Sequence, residues 1–421
     1  MHRHSGVSKH KSVVRWWSSA AEGAVAPPAE CSITAEQAIR LWTQHFTLHG
    51  ISEPLLSSQY IISHVLGEKT LECVQRKRLR DTLTDRERES VWALCSKRLT
   101  RMPVQYVIEE WDFRDLTLKM KPPVFIPRPE TEELVSLVLE DLRLMRGTDL
   151  RCLEVGCGSG AISLSLLRNI PQLRVFALDQ SQTAVCLTME NANRLGLQDR
   201  LDVYHLDVIK DADAILSKCD PVDFLVSNPP YLHSQDMETL QTEILRFEDH
   251  SALDGGLDGL SVIRPILALS SKLLTQGGRV YLEVATCHPP VIQKLVEEMM
   301  PGLLYLETRC DLTNRSGHAF AFYRRKERMT KPKTGMKMII WCNTTLVPSM
   351  HRVKNLPILP RSSFLKSGDL GVQVSGCSRL KVIIEAFSKN SPSQSCASLS
   401  LEVMRSFCET AGPLPLARAL S

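Results

Sequence analysis

The feature that most constrains the fold is a glycine-rich turn between two apolar segments. Residues 151–155 are mostly apolar, and Gly156, Gly158 and Gly160 follow before a second apolar stretch over 161–167. A short apolar run that ends in glycines and then opens a helix is typical of parallel α/β folds, because glycine adopts the positive φ angles that such a turn requires. The pattern therefore predicts an α/β domain that binds a ligand at the carboxyl end of this strand.

The acids near this turn indicate the kind of ligand. Asp179 ends the next apolar run, 174–178, at about the position where nucleotide-binding α/β folds place a ribose-binding acid. Glu154 precedes the glycines, where a carboxylate would repel a pyrophosphate, and the glycine spacing differs from the dinucleotide fingerprint. S-adenosylmethionine fits better, since it carries a sulfonium, an ammonium group and a ribose diol. The alternative for Glu154 is an exposed strand end.

A third acid, Asp207, follows a strand predicted over 201–205. Its carboxylate could accept a hydrogen bond from an adenine amino group at the carboxyl edge of the sheet. An aspartate in an ordinary turn explains the sequence equally well. Both interpretations stay open.

The tetrapeptide Asn228-Pro229-Pro230-Tyr231 follows the apolar segment 224–227, which predicts a buried strand. Prolines supply no ladder donors and cannot continue a central strand. The Asn228 side-chain oxygen and the Pro229 carbonyl can each accept one N–H of an incoming amino group, and the Tyr231 ring can cover its flat face. This predicts a clamp for a planar nitrogen nucleophile, with the Asn228 amide nitrogen held by nearby backbone. The alternative is a proline-rich turn.

Composition divides the chain into five segments. Residues 1–30 are basic and acid-poor, which predicts a transit peptide or, alternatively, a disordered terminus. Helical periodicity and two capping-box signals predict a helical bundle over 31–102, followed by a hairpin and a rigid, lid-like proline-rich loop over 103–128. The α/β domain covers 129–325, and the basic, serine- and proline-rich residues 326–421 are predicted to be mostly disordered.

Charge and cysteine content argue against several functions. The whole chain has a formal net charge of +4, but this surplus comes from its two ends, and residues 31–330 are net negative. A binder of duplex nucleic acid normally carries a basic face. The 13 cysteines include no C-x-x-C pair, and no cluster of metal ligands is evident, so no metal is predicted. No apolar stretch approaches the length of a membrane span, so no membrane partner is expected.

Taken together, the motifs resemble the HemK-type release factor glutamine N5-methyltransferases, most closely the mitochondrial form. The resemblance covers roughly residues 35–325. The motifs that carry it are Pro103–Tyr106, Trp111–Phe113, Ile126–Glu132, Glu154–Gly160, Asn228–Tyr231 and Ala252–Gly256. It implies a Rossmann-like, seven-stranded class I methyltransferase domain of the α/β class, preceded by a small all-helical domain that docks the release factor.

The resemblance also implies the reaction and its residues. The cofactor would be S-adenosylmethionine, and the target would be the glutamine in the Gly-Gly-Gln loop of a peptide chain release factor. We also expect a monomer of the mitochondrial matrix that supports translation termination and makes no direct contact with nucleic acid. The positions assigned to the cofactor are Gly156, Cys157, Gly158, Ser159, Gly160, Asp179, Asp207 and Asn228, together with Glu154 from the argument above. Those assigned to catalysis and to the glutamine are Asn228, Pro229, Pro230 and Tyr231.

The sequence departs from the family pattern in three places. Glu109 stands where the family usually has glycine, the middle of the segment 311–320 differs from the usual final hairpin, and residues from about 331 onward match no part of the family. Three other functions remain open. An adenine N6-methyltransferase of DNA or RNA would use the same clamp, a nicotinamide dehydrogenase would need a different glycine spacing, and a noncatalytic factor-binding protein would not need the intact clamp.

Overall fold

The computed structural model describes residues 32–69, 72, 78–143, 149–310 and 318–326, together with the strand backbones 337–342, 382–387 and 395–397. The chain forms two compact units, which divide between residues 327 and 328. The transit peptide predicted for residues 1–30 lies outside the described residues and stays a prediction. Among the described residues, no helix combines the length and apolarity needed to span a bilayer.

The first unit begins with helices that pack around large apolar side chains. These helices are α1 (Ala35–Leu48), α2 (Pro54–Val65), α3 (Asp85–Leu99) and the short α4 (Val104–Val107). Both predicted capping boxes are present, because Thr34 and Thr84 each cap a helix reciprocally with the third residue of its first turn. Trp42 and Trp92 meet edge to face at 5.4 Å in the core of this bundle.

A two-stranded hairpin follows the bundle. Its strands are β1 (Glu110–Phe113) and β2 (Leu116–Lys119), which pair antiparallel. Glu109, where the resemblance leads us to expect glycine, has a φ of 60° and its carbonyl accepts a hydrogen bond from Met120 N at 2.9 Å. This positive φ is a conformation that glycine adopts readily, and it costs about 1–2 kcal/mol for a residue with a Cβ.

The rest of the first unit is built on one seven-stranded sheet. Its strands are β3 (Leu150–Val155), β4 (Leu173–Asp179), β5 (Leu201–His205), β6 (Val222–Ser227), β7 (Leu274–Ala285), β8 (Leu303–Cys310) and β9 (His318–Arg325). Their order is β5-β4-β3-β6-β7-β9-β8. The first five strands in this order pair in parallel, and β9 pairs antiparallel with both β7 and β8. The predicted α/β class with a seven-stranded sheet is confirmed.

Helices cover both faces of this sheet, as a mostly parallel sheet requires. They are α5 (Pro129–Leu142), α6 (Ala161–Asn169), α7 (Gln182–Leu195), α8 (Ala212–Lys218), α9 (Thr242–Phe247), α10 (Ile263–Leu273) and α11 (His288–Met299). One buried cluster lies under α5 and α6, and the other lies under α8, α10 and α11. The strand order reverses between β3 and β6, which is the position where open α/β sheets bind ligands.

A buried ionic contact joins the helical bundle to the sheet domain. Arg98 of α3 is 3% exposed, and its guanidinium lies 3.5 Å from the carboxylate of Glu243 on α9. Ser52 donates to the same carboxylate at 3.0 Å, and Arg101 lies 3.5 Å from it. Because a buried carboxylate is costly without such partners, these contacts fix the bundle against the sheet domain.

The second unit contains a three-stranded antiparallel sheet. Its strands are β10 (Lys337–Cys342), β11 (Val382–Phe387) and β12 (Ser395–Ala397), in the order β10-β11-β12. These strands lie within the span 326–421 that the sequence predicts to be mostly disordered. The other residues of that span after 326 lie outside the described part of the chain.

Candidate active site

A cavity opens at the carboxyl ends of β3, β4 and β6, at the reversal point of the sheet. It brings together most of the residues that the sequence singled out. Those that line it are Glu154, Gly156, Cys157, Gly158, Ser159, Asp179, Asp207, Asn228 and Pro230. Gly160, Pro229 and Tyr231 lie beside the cavity but do not line it.

The glycine turn wraps around the end of β4. Gly156 N and Cys157 N both donate to the Leu178 carbonyl, at 2.8 and 3.1 Å. Gly156, Gly158 and Gly160 all have positive φ values, of 77°, 56° and 84°. At Gly160 a Cβ would come within 2.9 Å of the Leu164 side chain, so this glycine serves the packing of the turn against α6.

Asp179 lies at the tip of β4 and supports the turn. One of its carboxylate oxygens accepts from Gly158 N at 2.9 Å, and the other accepts from Ser181 N at 2.8 Å. Burial raises the pKa of Asp179 above its ordinary value, while these two backbone donors oppose the rise. Each oxygen keeps a further lone pair, so the carboxylate can still accept a ligand hydroxyl.

Glu154 is not an exposed strand end, and that alternative is wrong. The residue is 1% exposed and lies beneath the first turn of α6, where its carboxylate accepts from Ser163 N at 3.1 Å and from the Ser163 hydroxyl. Burial raises the pKa of Glu154 to about 8. Its attraction for a cationic ligand therefore depends on pH, because the neutral acid contributes no charge.

Asp207 sits in a tight turn and also lines the cavity. Its carboxylate accepts from Ile209 N at 2.8 Å and forms an ion pair with Lys210 at 2.8 Å. Its own backbone N–H donates to Asp211. The turn interpretation thus explains the contacts that its side chain makes, although the residue remains within reach of a ligand.

The clamp residue Asn228 is held by a side chain rather than by backbone, so the sequence-based expectation is wrong on this point. Its Nδ2 donates to Thr131 Oγ1 at 3.0 Å, and that hydroxyl donates to Glu283 Oε2 at 2.9 Å. While Glu283 is ionised its carboxylate takes the hydroxyl proton, so the hydroxyl accepts from the amide nitrogen. These two hydrogen bonds form a relay from Asn228 through Thr131 to Glu283. The relay leaves the other amide atom of Asn228, Oδ1, as an acceptor at the cavity.

Sequence reasoning missed Thr131 and Glu283 as parts of the site. Thr131 lies in the first turn of α5, just after the proline-rich loop, and Glu283 is a fully buried acid near the end of β7. The Tyr231 hydroxyl lies 3.4 Å from Glu283 Oε1, so one carboxylate supports two residues of the clamp stretch. An acid within an otherwise apolar strand is a signal that could have been recognised.

The pH dependence of stability tests the burial of Glu283. Burial raises the pKa of Glu283 from 4.5 to about 7, so the folded state binds this proton more tightly than the unfolded chain does. The free energy of unfolding therefore falls as the pH rises through this interval. Glu283→Gln removes this titration. The decrease in the free energy of unfolding between pH 5 and 8, measured by urea unfolding, should therefore be smaller in the variant by up to about 3 kcal/mol. Glu154 contributes equally to the pH dependence of the parent protein and the variant. Identical curves of the free energy of unfolding against pH for the two proteins would contradict the burial of Glu283.

The predicted lid-like loop is pinned over the cavity, which Phe125 and Pro127 line. Buried Glu248 accepts from Ile126 N at 3.2 Å and from Arg128 at 2.7 Å. The Tyr106 hydroxyl donates to the Val124 carbonyl at 2.6 Å. These bonds explain why the proline-rich sequence forms a fixed wall of the site.

One grouping beside the site was not expected from the sequence, which predicted no metal. The loop after the clamp carries His233 close to Cys287 and His288 at the start of α11. Sequence spacing could not reveal this group, since β7 brings the two segments together only in the folded chain.

Comparisons with known proteins agree with this architecture. Residues 116–257 match the family model "Methyltransferase small domain", and residues 37–108 match "PrmC N-terminal domain". The chain is 47% identical over 277 residues to the human "MTRF1L release factor glutamine methyltransferase", an alignment that covers 64% of this chain and 82% of the relative.

Bacterial proteins of the same description are also similar. The "Release factor glutamine methyltransferase" of Gloeobacter violaceus is 36% identical, over 52% of this chain and 74% of the relative. The Deinococcus radiodurans protein with that name is 34% identical, over 65% of this chain and 92% of the relative. The two family models between them match residues of both the helical bundle and the sheet domain.

Proposed function

This chain belongs to the release factor glutamine methyltransferase family, and we propose that it methylates the side-chain nitrogen, N5, of the glutamine in a release factor's Gly-Gly-Gln loop. Its cofactor is S-adenosylmethionine. The observation that carries the assignment is the 47% identity across 82% of the human relative. The alternative of an adenine N6-methyltransferase is not favoured, because the relatives are named for a release factor glutamine.

The cavity residues fit S-adenosylmethionine. Gly158 lines the cavity, and a Cβ added there would meet nothing within 4 Å, so the turn leaves open space for a ligand. We assign the ribose diol to Asp179 and the adenine to the neighbourhood of Asp207, where Val208 and Ile209 also line the cavity. When bound, the cofactor supplies an electrophilic methyl group on a positively charged sulfur.

The clamp provides two acceptors for the substrate amide. A primary amide nitrogen is a weak nucleophile, because its lone pair is delocalised into its carbonyl group. In our assignment Asn228 Oδ1 and the Pro229 carbonyl each hold one N–H, so the nitrogen lone pair faces the methyl group. Catalysis then comes mainly from orientation and from dipoles fixed in advance, which the relay from Asn228 through Thr131 to Glu283 supports.

We assign docking of the release factor to the helical bundle. The buried contact between Arg98 and Glu243 holds the bundle against the sheet domain at a fixed position. Glu243 lies only five residues before Glu248, which pins the loop at the cavity. A factor bound to the bundle would therefore meet a clamp whose position is already set.

A comparison of substrates tests this assignment. Methyl transfer should have a much higher kcat/KM on an intact release factor than on a short Gly-Gly-Gln peptide, because the peptide lacks the remote contacts whose binding energy lowers the barrier. Initial rates with labelled S-adenosylmethionine measure both values. Equal kcat/KM values, or clear methylation of naked DNA, would contradict the proposed substrate class.

We further propose that the protein acts in the mitochondrial matrix. The support is the basic, acid-poor composition of residues 1–30. A fluorescent reporter fused to residues 1–35 should enter mitochondria. A control fusion with Arg3, Lys9, Lys11 and Arg15 replaced by glutamine should stay in the cytosol, and a diffuse signal from the unaltered fusion would refute the proposal.

A further inference from the structure

Three side chains with metal-binding atoms meet next to the clamp but outside the cavity. His233 lies two residues after Tyr231, and Cys287 and His288 lie at the junction of β7 and α11. One ligand atom from each lies within 4.8 Å of the others. Two imidazoles and a thiol are donors that zinc prefers.

Ordinary packing does not account for the buried polar ring of His288. It is 2% exposed, and neither of its ring nitrogens makes a hydrogen bond of good geometry among the described residues, although the Asp258 backbone lies close enough to interact with the ring. A buried polar ring without such a hydrogen bond is unfavourable by about 1–3 kcal/mol. Its ring packs closely against the Gly259 backbone, since a Cβ added at Gly259 would come within 2.6 Å of two ring atoms. A metal ion would satisfy one of its nitrogens.

We propose that His233, Cys287 and His288 form a binding site for a divalent ion of the zinc type, with a fourth position open to solvent. In a tetrahedral zinc site the ligand atoms are about 3.3–3.8 Å apart, as follows from bond lengths near 2.0–2.3 Å. The three atoms therefore need to close by roughly 1 Å. Cys287 is exposed and His233 is half-buried, so both can rotate toward the fixed His288, and the ion can enter from solvent.

The site would join the loops that follow β6 and β7. The loop after the clamp is already bonded to its neighbour, because Leu232 N donates to the Leu253 carbonyl at 3.0 Å and Gly255 N donates to the Leu232 carbonyl at 2.7 Å. A bound ion would add a link from this loop to α11. Its effect would be to fix the backbone that follows Tyr231.

Cobalt titration of the full-length, metal-free protein tests the proposal. A Co²⁺ ion bound by a thiolate and two imidazoles should give thiolate charge-transfer absorption and intense visible bands, and one equivalent of Zn²⁺ should abolish both. Cys287→Ser should remove the charge-transfer band, and His233→Ala should weaken binding about 100-fold or more. Cys186→Ser is the matched control, since Cys186 is the other exposed cysteine among the described residues, and it should leave the spectrum unchanged.

Two outcomes would overturn the proposal. One is an absence of the charge-transfer band in the unaltered protein, and the other is an unchanged titration of Cys287→Ser or His233→Ala. Either variant must show the thermal unfolding of the parent protein for the comparison to count. Because the readout is metal binding, it is independent of methyl transfer and of the substrate assigned above.

Discussion

Replacing Asn228 with alanine should lower the single-turnover rate of methyl transfer to a release factor by about 10²–10³-fold, by analogy with the loss of one oxyanion-hole donor. The variant lacks one acceptor for the substrate amide, so one N–H of the glutamine faces an unfilled space. Affinity for S-adenosylmethionine should change little, because the glycine turn and Asp179 are bonded to one another rather than to Asn228. Calorimetric titration and single-turnover transfer measure the two quantities separately.

Asn228→Asp refines this test. It keeps an acceptor but places a negative charge beside the sulfonium, which would stabilise the charged ground state more than the transition state. Cofactor binding should be retained or tightened while the rate still falls. Asn193→Ala is the control, since Asn193 is exposed on α7. An Asn228→Ala enzyme with nearly the original rate would show that Asn228-Pro229-Pro230-Tyr231 is only a turn.

The second large effect concerns the cofactor. Asp179→Ala should weaken S-adenosylmethionine binding by about 10²-fold or more, since each hydrogen bond to a charged group contributes about 1.5–3 kcal/mol. The same change removes the acceptor for Gly158 N, which loosens the turn. Asp207→Ala should cost less than about 10-fold, because the Asp207 carboxylate is already held by Ile209 N and Lys210.

Calorimetry on both aspartate variants, with thermal unfolding as the check on folding, separates these roles. A larger loss of S-adenosylmethionine affinity in Asp207→Ala than in Asp179→Ala would contradict the assignment of the ribose diol to Asp179. Unchanged affinity in Asp179→Ala would remove Asp179 from the cofactor site altogether.

The sequence predicts much of this architecture because local chemistry determines it. The positive φ angles at Gly156, Gly158 and Gly160 require glycine, and the apolar run before Asn228 must be buried on both faces. Similar local rules gave the two capping boxes of the helical bundle. Where one residue type is nearly obligatory, the pattern along the chain is sufficient.

Contacts between distant segments could not be predicted in this way. Thr131 and Glu283 are far apart in sequence, and only the packing of α5 against β7 places them in line with Asn228. The burial of Glu154 depends on how α6 sits over β3, and the approach of His233 to His288 depends on the return of the chain along β7. For each of these residues, the sequence gives its chemistry but not its neighbours.

The most direct test of the central claim is the position of the transferred methyl group. The full-length protein is incubated with labelled S-adenosylmethionine and an intact release factor, and the product is mapped by tandem mass spectrometry beside a reaction with Asn228→Ala. We expect one methyl group, on the side-chain nitrogen of the Gly-Gly-Gln glutamine, at a rate reduced about 10²–10³-fold by the variant. A methyl group on any other residue, or none on that glutamine, would contradict the account.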